Sequence, residues 1–166
     1  MNALLAALGL AEERVTEVVG LLKARGETVA TAESLTAGLV TSALTTVPGS
    51  SAVVRGGLVV YATDLKGALA GVAPELLAQY GAVHPDVATA LAVGARRACA
   101  ADWGVGLTGV AGPDPQDGVS PGTVYFSLAH SDVTTGYVLD LDGGRDAVRA
   151  ATVRAAVDAL HSALTT

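Results

Sequence analysis

Gly57-Leu58-Val59-Val60-Tyr61-Ala62 is a nearly continuous apolar run, and such a run predicts a strand buried on both faces. A polar step, Thr63-Asp64, follows it, and then a short helix through Lys66 and Leu69. On its amino side, Val47-Pro48-Gly49-Ser50-Ser51 is a turn. Leu35 to Leu44 predicts a helix, preceded by a short strand over 28–32 that runs into Glu33 and Ser34. Further out, Val15, Val18, Val19 and Leu22 mark one face of a helix over Glu12 to Arg25, with Gly26 as its stop.

Toward the carboxyl end, Pro74 opens a short helix closed by Tyr80-Gly81, and His84-Pro85-Asp86 opens a longer one to Ala101. Trp103 to Leu107 is the next strand, followed by a Gly-, Pro- and Asp-rich loop over Thr108 to Pro121. A loop of that length in a compact chain is often functional. Two strands, Val124 to Ala129 and Thr135 to Leu141, meet at a turn over His130-Ser131-Asp132, and Arg145 to Leu164 closes the chain as a helix. Strands alternating with helices predict an α/β sandwich around one sheet.

The 166 residues are 51% hydrophobic and 16% charged, too apolar for disorder and long enough to bury a core without disulfides. Aromatics are 4%, so the core is built from Ala, Val and Leu. The net charge is −6 and no basic run is present, which argues against a nucleic-acid partner. Cys99 is the only cysteine, and His84, His130 and His161 share no ligand spacing, so no metal site is expected. The apolar start, Met1 to Ala11, lacks the cations of a secretory signal. Arg96 and Arg97 interrupt the stretch over 88–101, which is too short for a bilayer. The expectation is a cytoplasmic protein with no membrane partner. Its apolar fraction and its start at Met1 to Leu10 hint at a homo-oligomer.

Three strand ends carry candidate chemistry: Ser34, then Tyr61 with Lys66, then Thr108 with its glycine-rich loop. If those strands are parallel, the three ends share the sheet edge where α/β folds bind ligands. Ser34 reads as a helix N-cap or as a nucleophile. No histidine lies near these ends, so the available base is Lys66, one of two lysines, provided burial or a nearby cation lowers its pKa. The alternative for Lys66 is a solvated helix position. Tyr61 reads as a core phenol with its hydroxyl at the rim, or as a site group. Thr108-Gly109-Val110-Ala111-Gly112-Pro113 lets backbone approach a ligand or forms a tight turn. Arg145, after Gly143-Gly144 at a helix start, pairs with Asp142 or Asp146, or faces a bound anion.

Thr31-Ala32-Glu33-Ser34, Pro48-Gly49-Ser50-Ser51, Tyr61-Ala62-Thr63-Asp64-Leu65-Lys66, Gly81-Ala82-Val83, the 108–113 loop and Pro121-Gly122-Thr123-Val124 together resemble the CinA C-terminal domain family. The family's stand-alone members include the nicotinamide-nucleotide amidohydrolases. The resemblance covers a core of about 12–162 and implies a single domain over 1–166: a three-layer α/β/α sandwich around one mixed sheet. It also implies hydrolysis of the carboxamide of nicotinamide mononucleotide to nicotinate mononucleotide and ammonia, with no cofactor and no metal. By that resemblance Ser34 is the nucleophile, Lys66 and Tyr61 complete the catalytic set, and Ser51, Thr108, Gly109, Ala111, Gly112 and Arg145 bind the pyridine nucleotide.

The chain departs from the family pattern at four places. Ala37 stands for a glycine, Ala62-Thr63 for Ser-Asn, Asp114-Pro115-Gln116-Asp117-Gly118 for a glycine-rich stretch, and Val119-Ser120-Pro121 for Lys-Pro-Val. Two other readings stay open: a non-catalytic nucleotide-binding or assembly module, and an amidase for another small amide.

Overall fold

The computed structural model describes residues 2–166. Two amino-terminal helices, α1 (Ala3–Leu8) and α2 (Glu12–Arg25), precede strand β1 (Val29–Glu33). Then come α3 (Leu39–Leu44), β2 (Val54–Val59), α4 (Thr63–Ala70), α5 (Pro74–Tyr80) and α6 (Pro85–Cys99). Strands β3 (Trp103–Gly109), β4 (Thr123–His130) and β5 (Val133–Asp140) follow, and α7 (Arg145–Thr165) ends the chain. The five strands form one sheet in the order β2-β1-β3-β4-β5. The first three are mutually parallel, and β4 and β5 add antiparallel pairs, so the sheet is mixed.

Helices cover both faces. Val15, Val19 and Leu22 of α2 and Val153, Val157 and Leu160 of α7 join Val29, Val105 and Phe126 in one core. On the other face α4 and α6 pack through Ala70, Val87, Leu91 and Ala95 onto Ala30 and Ala32. That second layer is thin because β3 presents glycines, Gly104 and Gly106, beneath α6. A Cβ at Gly104 would lie 1.9 Å from the Ala92 carbonyl, and one at Gly106 would lie 2.3 Å from that of Ala88. Only bare glycine lets α6 sit so low.

The structure corrects three local expectations. The 57–62 run is not a central strand: β2 ends at Val59, lies at the sheet edge and alternates between half-buried and exposed. The apolar start does not form a free surface, because Leu5, Leu8 and Leu10 enter the core shared with α7; Met1 lies outside the described residues. The helix over 35–44 begins only at Leu39. Before it the chain turns sharply, with Ala37 at φ 48° and Gly38 at φ 93°.

The left-handed region costs an L-residue roughly 1–2 kcal/mol. Glycine avoids this, at about 0.5–1 kcal/mol of extra unfolded-state entropy. The Ala37 side chain is exposed and contributes little packing. Ala37→Gly is therefore expected to raise the unfolding free energy by about 0.5–1 kcal/mol in urea titrations. A loss of stability would show that the strain is already relieved locally.

Candidate active site

The parallel register places Glu33, the last residue of β1, between Val59 of β2 and Leu107 of β3. The three strand ends therefore meet at one edge. Ser34 and Lys66 are both buried there, at 8% and 1% exposure. The Lys66 Nζ lies 2.9 Å from Ser34 Oγ, 2.8 Å from the Val60 carbonyl and 3.4 Å from the Tyr61 carbonyl. Burial pushes the Lys66 amine down to about 8, and the negative charge of Asp117 opposes the fall. A neutral amine has two N–H donors and one lone pair. With both carbonyls taking N–H bonds, the lone pair is left for the serine hydroxyl.

Ser34 is not a helix cap. Glu33 does that work from the strand end. Its Oε2 accepts from Thr36 Oγ1 (2.7 Å), Gly38 N (3.0 Å) and Val40 N (3.1 Å). Its Oε1 accepts from Thr41 N (2.9 Å), Thr41 Oγ1 (3.0 Å) and Thr31 Oγ1 (3.0 Å). Six donors thus hold a fully buried carboxylate, and they fix the 34–38 turn that carries the serine. The Ala37 N–H closes this turn on the Ser34 carbonyl at 3.0 Å, while the N–H groups of Leu35 and Thr36, next in the chain after Ser34, have no partner among the described residues.

Ser34 opens into a cleft of about 300 Å³, at the small end of ligand pockets. One wall is Tyr61, Ala62 and Thr63; the others come from Ala82-Val83, the 108–112 segment and Arg145. Thr108 lines the cleft, but its hydroxyl donates to the Ala82 carbonyl at 2.6 Å, so it shapes the wall. Gly109, Ala111 and Gly112 line it as well.

Tyr61 is 56% exposed, not a core phenol. Its hydroxyl accepts from Arg145 Nη2 at 2.7 Å, and only its carbonyl reaches Lys66. Arg145 also donates to the Gly112 carbonyl at 3.0 Å. Among the described residues it makes no ion pair with Asp142 or Asp146, so the guanidinium charge faces the cleft balanced only by neutral oxygens. Ser51 is the exception. It is exposed, in a 3-10 turn at the amino end of β2, across the sheet from the cleft, and does not line it. Among the described residues no three His, Cys, Asp or Glu side chains gather into a metal-ligand set, and no helix is long and apolar enough to cross a membrane.

Sequence reasoning missed two groups: Glu33 and the loop carboxylate Asp117. The signal for Glu33 was present, as an acid closing a strand otherwise made of Val, Ala and Thr. Asp117 gave none beyond the Asp-Gly turn pair.

Known proteins carry the same arrangement of chain. CinA-like proteins of Frankia casuarinae and Anaeromyxobacter dehalogenans are 44% and 48% identical to it over 147 and 148 residues, 89% of this chain in each case. Those matches cover 34% and 36% of the relatives, so the chain spans about a third of their length. Among solved structures, the competence/damage inducible protein CihA from Agrobacterium tumefaciens is 36% identical, with a TM-score of 0.88 over 93% of this chain and 95% of that one. A CinA superfamily protein from Klebsiella pneumoniae is 31% identical, with a TM-score of 0.89 over 93% and 97%. The model of the CinA C-terminal domain matches residues 11–164, from the first turn of α2 to the last turn of α7, and the chain belongs to that family.

Proposed function

We propose that the protein hydrolyses a small carboxamide, with nicotinamide mononucleotide as the substrate, through Ser34 as nucleophile and Lys66 as general base. The observation that carries this reading is the buried Lys66 Nζ to Ser34 Oγ contact at 2.9 Å. A serine hydroxyl needs a base within hydrogen-bond reach, and a lysine serves near neutral pH only when its pKa is depressed. At pH 7 an amine titrating at about 8 is neutral in about one molecule in ten.

Neutral Lys66 takes the Ser34 proton as Oγ attacks the carboxamide carbon. The carbonyl oxygen becomes an oxyanion beside the free N–H groups of Leu35 and Thr36. Such donors are often worth about 3–4 kcal/mol in the transition state. The protonated lysine then returns its proton to the departing nitrogen, the C–N bond breaks, and ammonia leaves a serine ester. Water, deprotonated by the same lysine, cleaves the ester to the carboxylate and restores Ser34. Arg145, held by Tyr61 and Gly112 and without a carboxylate partner among the described residues, is suited to the substrate's phosphate.

The test is ammonia release from nicotinamide mononucleotide, nicotinamide and glutamine by the purified protein. The nucleotide is expected to be the best substrate, and Ser34→Ala to release none. The rate is expected to climb as pH rises and level off above about 8, where the lysine is mostly neutral. Turnover by Ser34→Ala would remove the serine mechanism. Nicotinamide as the best substrate would remove the role of Arg145. Tight nucleotide binding with no ammonia would mark a binding module instead.

A further inference from the structure

Of the side chains that line the cleft, two carry full charges, Asp114 and Arg145, and they are opposite in sign. They do not pair with each other. Arg145 donates to the Tyr61 hydroxyl and the Gly112 carbonyl, both neutral, and the Asp114 carboxylate has no hydrogen bond or ion pair among the described residues. For a ligand recognised by its phosphate alone, a carboxylate in the same cleft of about 300 Å³ only repels. Opposite charges that share a cleft without meeting are complementary to a ligand that carries both signs.

The Asp114 carboxylate stands on a braced backbone. Pro115 restrains the residue before it to extended conformations. Two residues earlier, the Gly112 carbonyl accepts from Arg145 at 3.0 Å. Two residues later, Gln116 and Val119 exchange backbone hydrogen bonds of 3.1 and 2.8 Å around Asp117-Gly118. That turn is docked in its own right, since Asp117 Oδ2 accepts the Ala82 N–H at 3.0 Å. Asp117 is thereby committed outside the cleft lining, whereas Asp114 lies in it uncommitted. The charge is also a departure from the family pattern. Asp114 falls in a stretch that is otherwise glycine-rich, and Val119 stands where the pattern has a lysine, so this loop has gained an anion and lost a cation.

We propose that Asp114 is a specificity residue that selects the positively charged ring of an oxidised pyridine nucleotide, so that the cleft takes a zwitterion with its phosphate at Arg145 and its ring cation at Asp114. This rests on the reading of the site as a hydrolase of nicotinamide mononucleotide. In that nucleotide the ring nitrogen bears the ribose and a fixed positive charge at every pH. The dihydro form keeps the same carboxamide, ribose and phosphate on a neutral ring. Asp114 tells the two apart by charge, at a place where their shapes are alike.

Calorimetric titration at low ionic strength tests this, with both nucleotides and with Ser34→Ala protein so that no amide turns over. Adding Asp114→Asn is expected to weaken the oxidised nucleotide by about three- to fivefold and to leave the dihydro form unchanged. Adding Asp114→Lys is expected to weaken the oxidised form by about tenfold or more and to leave the dihydro form as tight or tighter. Ribose 5-phosphate, with the phosphate and no ring, is expected to follow the dihydro form. Asp114 is exposed and makes no bond whose loss would unfold the chain. Asp132→Asn, an exposed carboxylate at the β4–β5 turn, is expected to change none of these affinities.

An equal loss for both nucleotides in Asp114→Asn, as a contact with the ribose would give, overturns the charge selection. So does no loss for either, an equal loss in Asp132→Asn, or failure of both nucleotides to bind. If the oxidised form weakens selectively but the wild type releases no ammonia from it, the proposed reaction fails and the binding role of Asp114 stands. If ammonia is released and Asp114→Asn binds both forms as before, the reaction stands and the role of Asp114 falls.

Discussion

Lys66→Met is expected to lower the rate of amide hydrolysis by about a thousandfold or more while leaving the fold as stable as before, or more stable. The activity loss follows from removing the base that, among the described residues, alone reaches Ser34 Oγ, since nucleophile and base act as a unit. The stability argument runs the other way. The unfolded lysine ionises near 10.5 and the folded one near 8, so at neutral pH the native state holds a cation in a site that disfavours it. That difference corresponds to roughly 3 kcal/mol against folding. Methionine has a similar length and no charge. It leaves the Val60 and Tyr61 carbonyls without their donor, a loss of about 1–2 kcal/mol. The balance is a gain of about 1–2 kcal/mol at pH 7.

The pH dependence has a definite sign. Between about 8 and 10.5 the unfolded lysine carries more proton than the folded one, so raising the pH stabilises the wild type. The penalty is absent above 10.5 and complete below about 8. The advantage of Lys66→Met in urea titrations is therefore expected to shrink as pH rises through that window. A methionine variant more than about 2 kcal/mol less stable at pH 7 would mean that the amine is not strained in its site.

Glu33 gives the second large effect, on stability first and activity second. Glu33→Ala strips the acceptor from three backbone N–H groups and the threonine hydroxyls around it, at a carboxylate that is itself fully buried. The expected loss is about 4–5 kcal/mol, counting the void, or a fall in Tm of about 10 °C or more for a chain of this size. Glu33→Gln is the finer probe. The hydroxyls of Thr31 and Thr41, 2.6 Å apart, can reverse to accept from the new amide, but the Thr41 N–H cannot. About 2–3 kcal/mol is expected. Because the 34–38 turn aims Ser34, the glutamine variant is expected to lose kcat with KM nearly unchanged. Thermal unfolding with steady-state kinetics checks both. Equal stability of the two variants would mean that the six bonds do not hold the turn.

How far the sequence reaches can be seen residue by residue. The α2 face was legible because its period is local, and so was the hairpin of β4 and β5. The convergence of Ser34 with Lys66 was legible only as a conditional, since it needed β1 and β2 to be parallel neighbours, and no local pattern encodes that. The 57–62 run misleads because its apolar residues do two jobs: Leu58 and Val59 end an edge strand, while Val60 turns inward and Tyr61 turns out to meet Arg145. Leu35 to Leu44 looks helical by composition, but the pull of Glu33 on the N–H groups of Gly38, Val40 and Thr41 holds the first four residues in a turn. Ser51 could not be placed without knowing which end of β2 it starts. The exposure of Tyr61 and the pinning of Ala82 by Asp117 depend on contacts 84 and 35 residues apart in the chain.

The two bare positions of β3 act as a spacer of zero thickness. Helix α6 rests directly on the backbone at Gly104 and Gly106, and Ala82-Val83 lead straight into that helix. A single methyl at Gly106 would have to raise the helix by about an ångström to reach ordinary contact distance. The mouth of the cavity would widen with it, away from Ser34. The aperture of the cleft beside Ser34 is thus gauged by two hydrogens on a neighbouring strand.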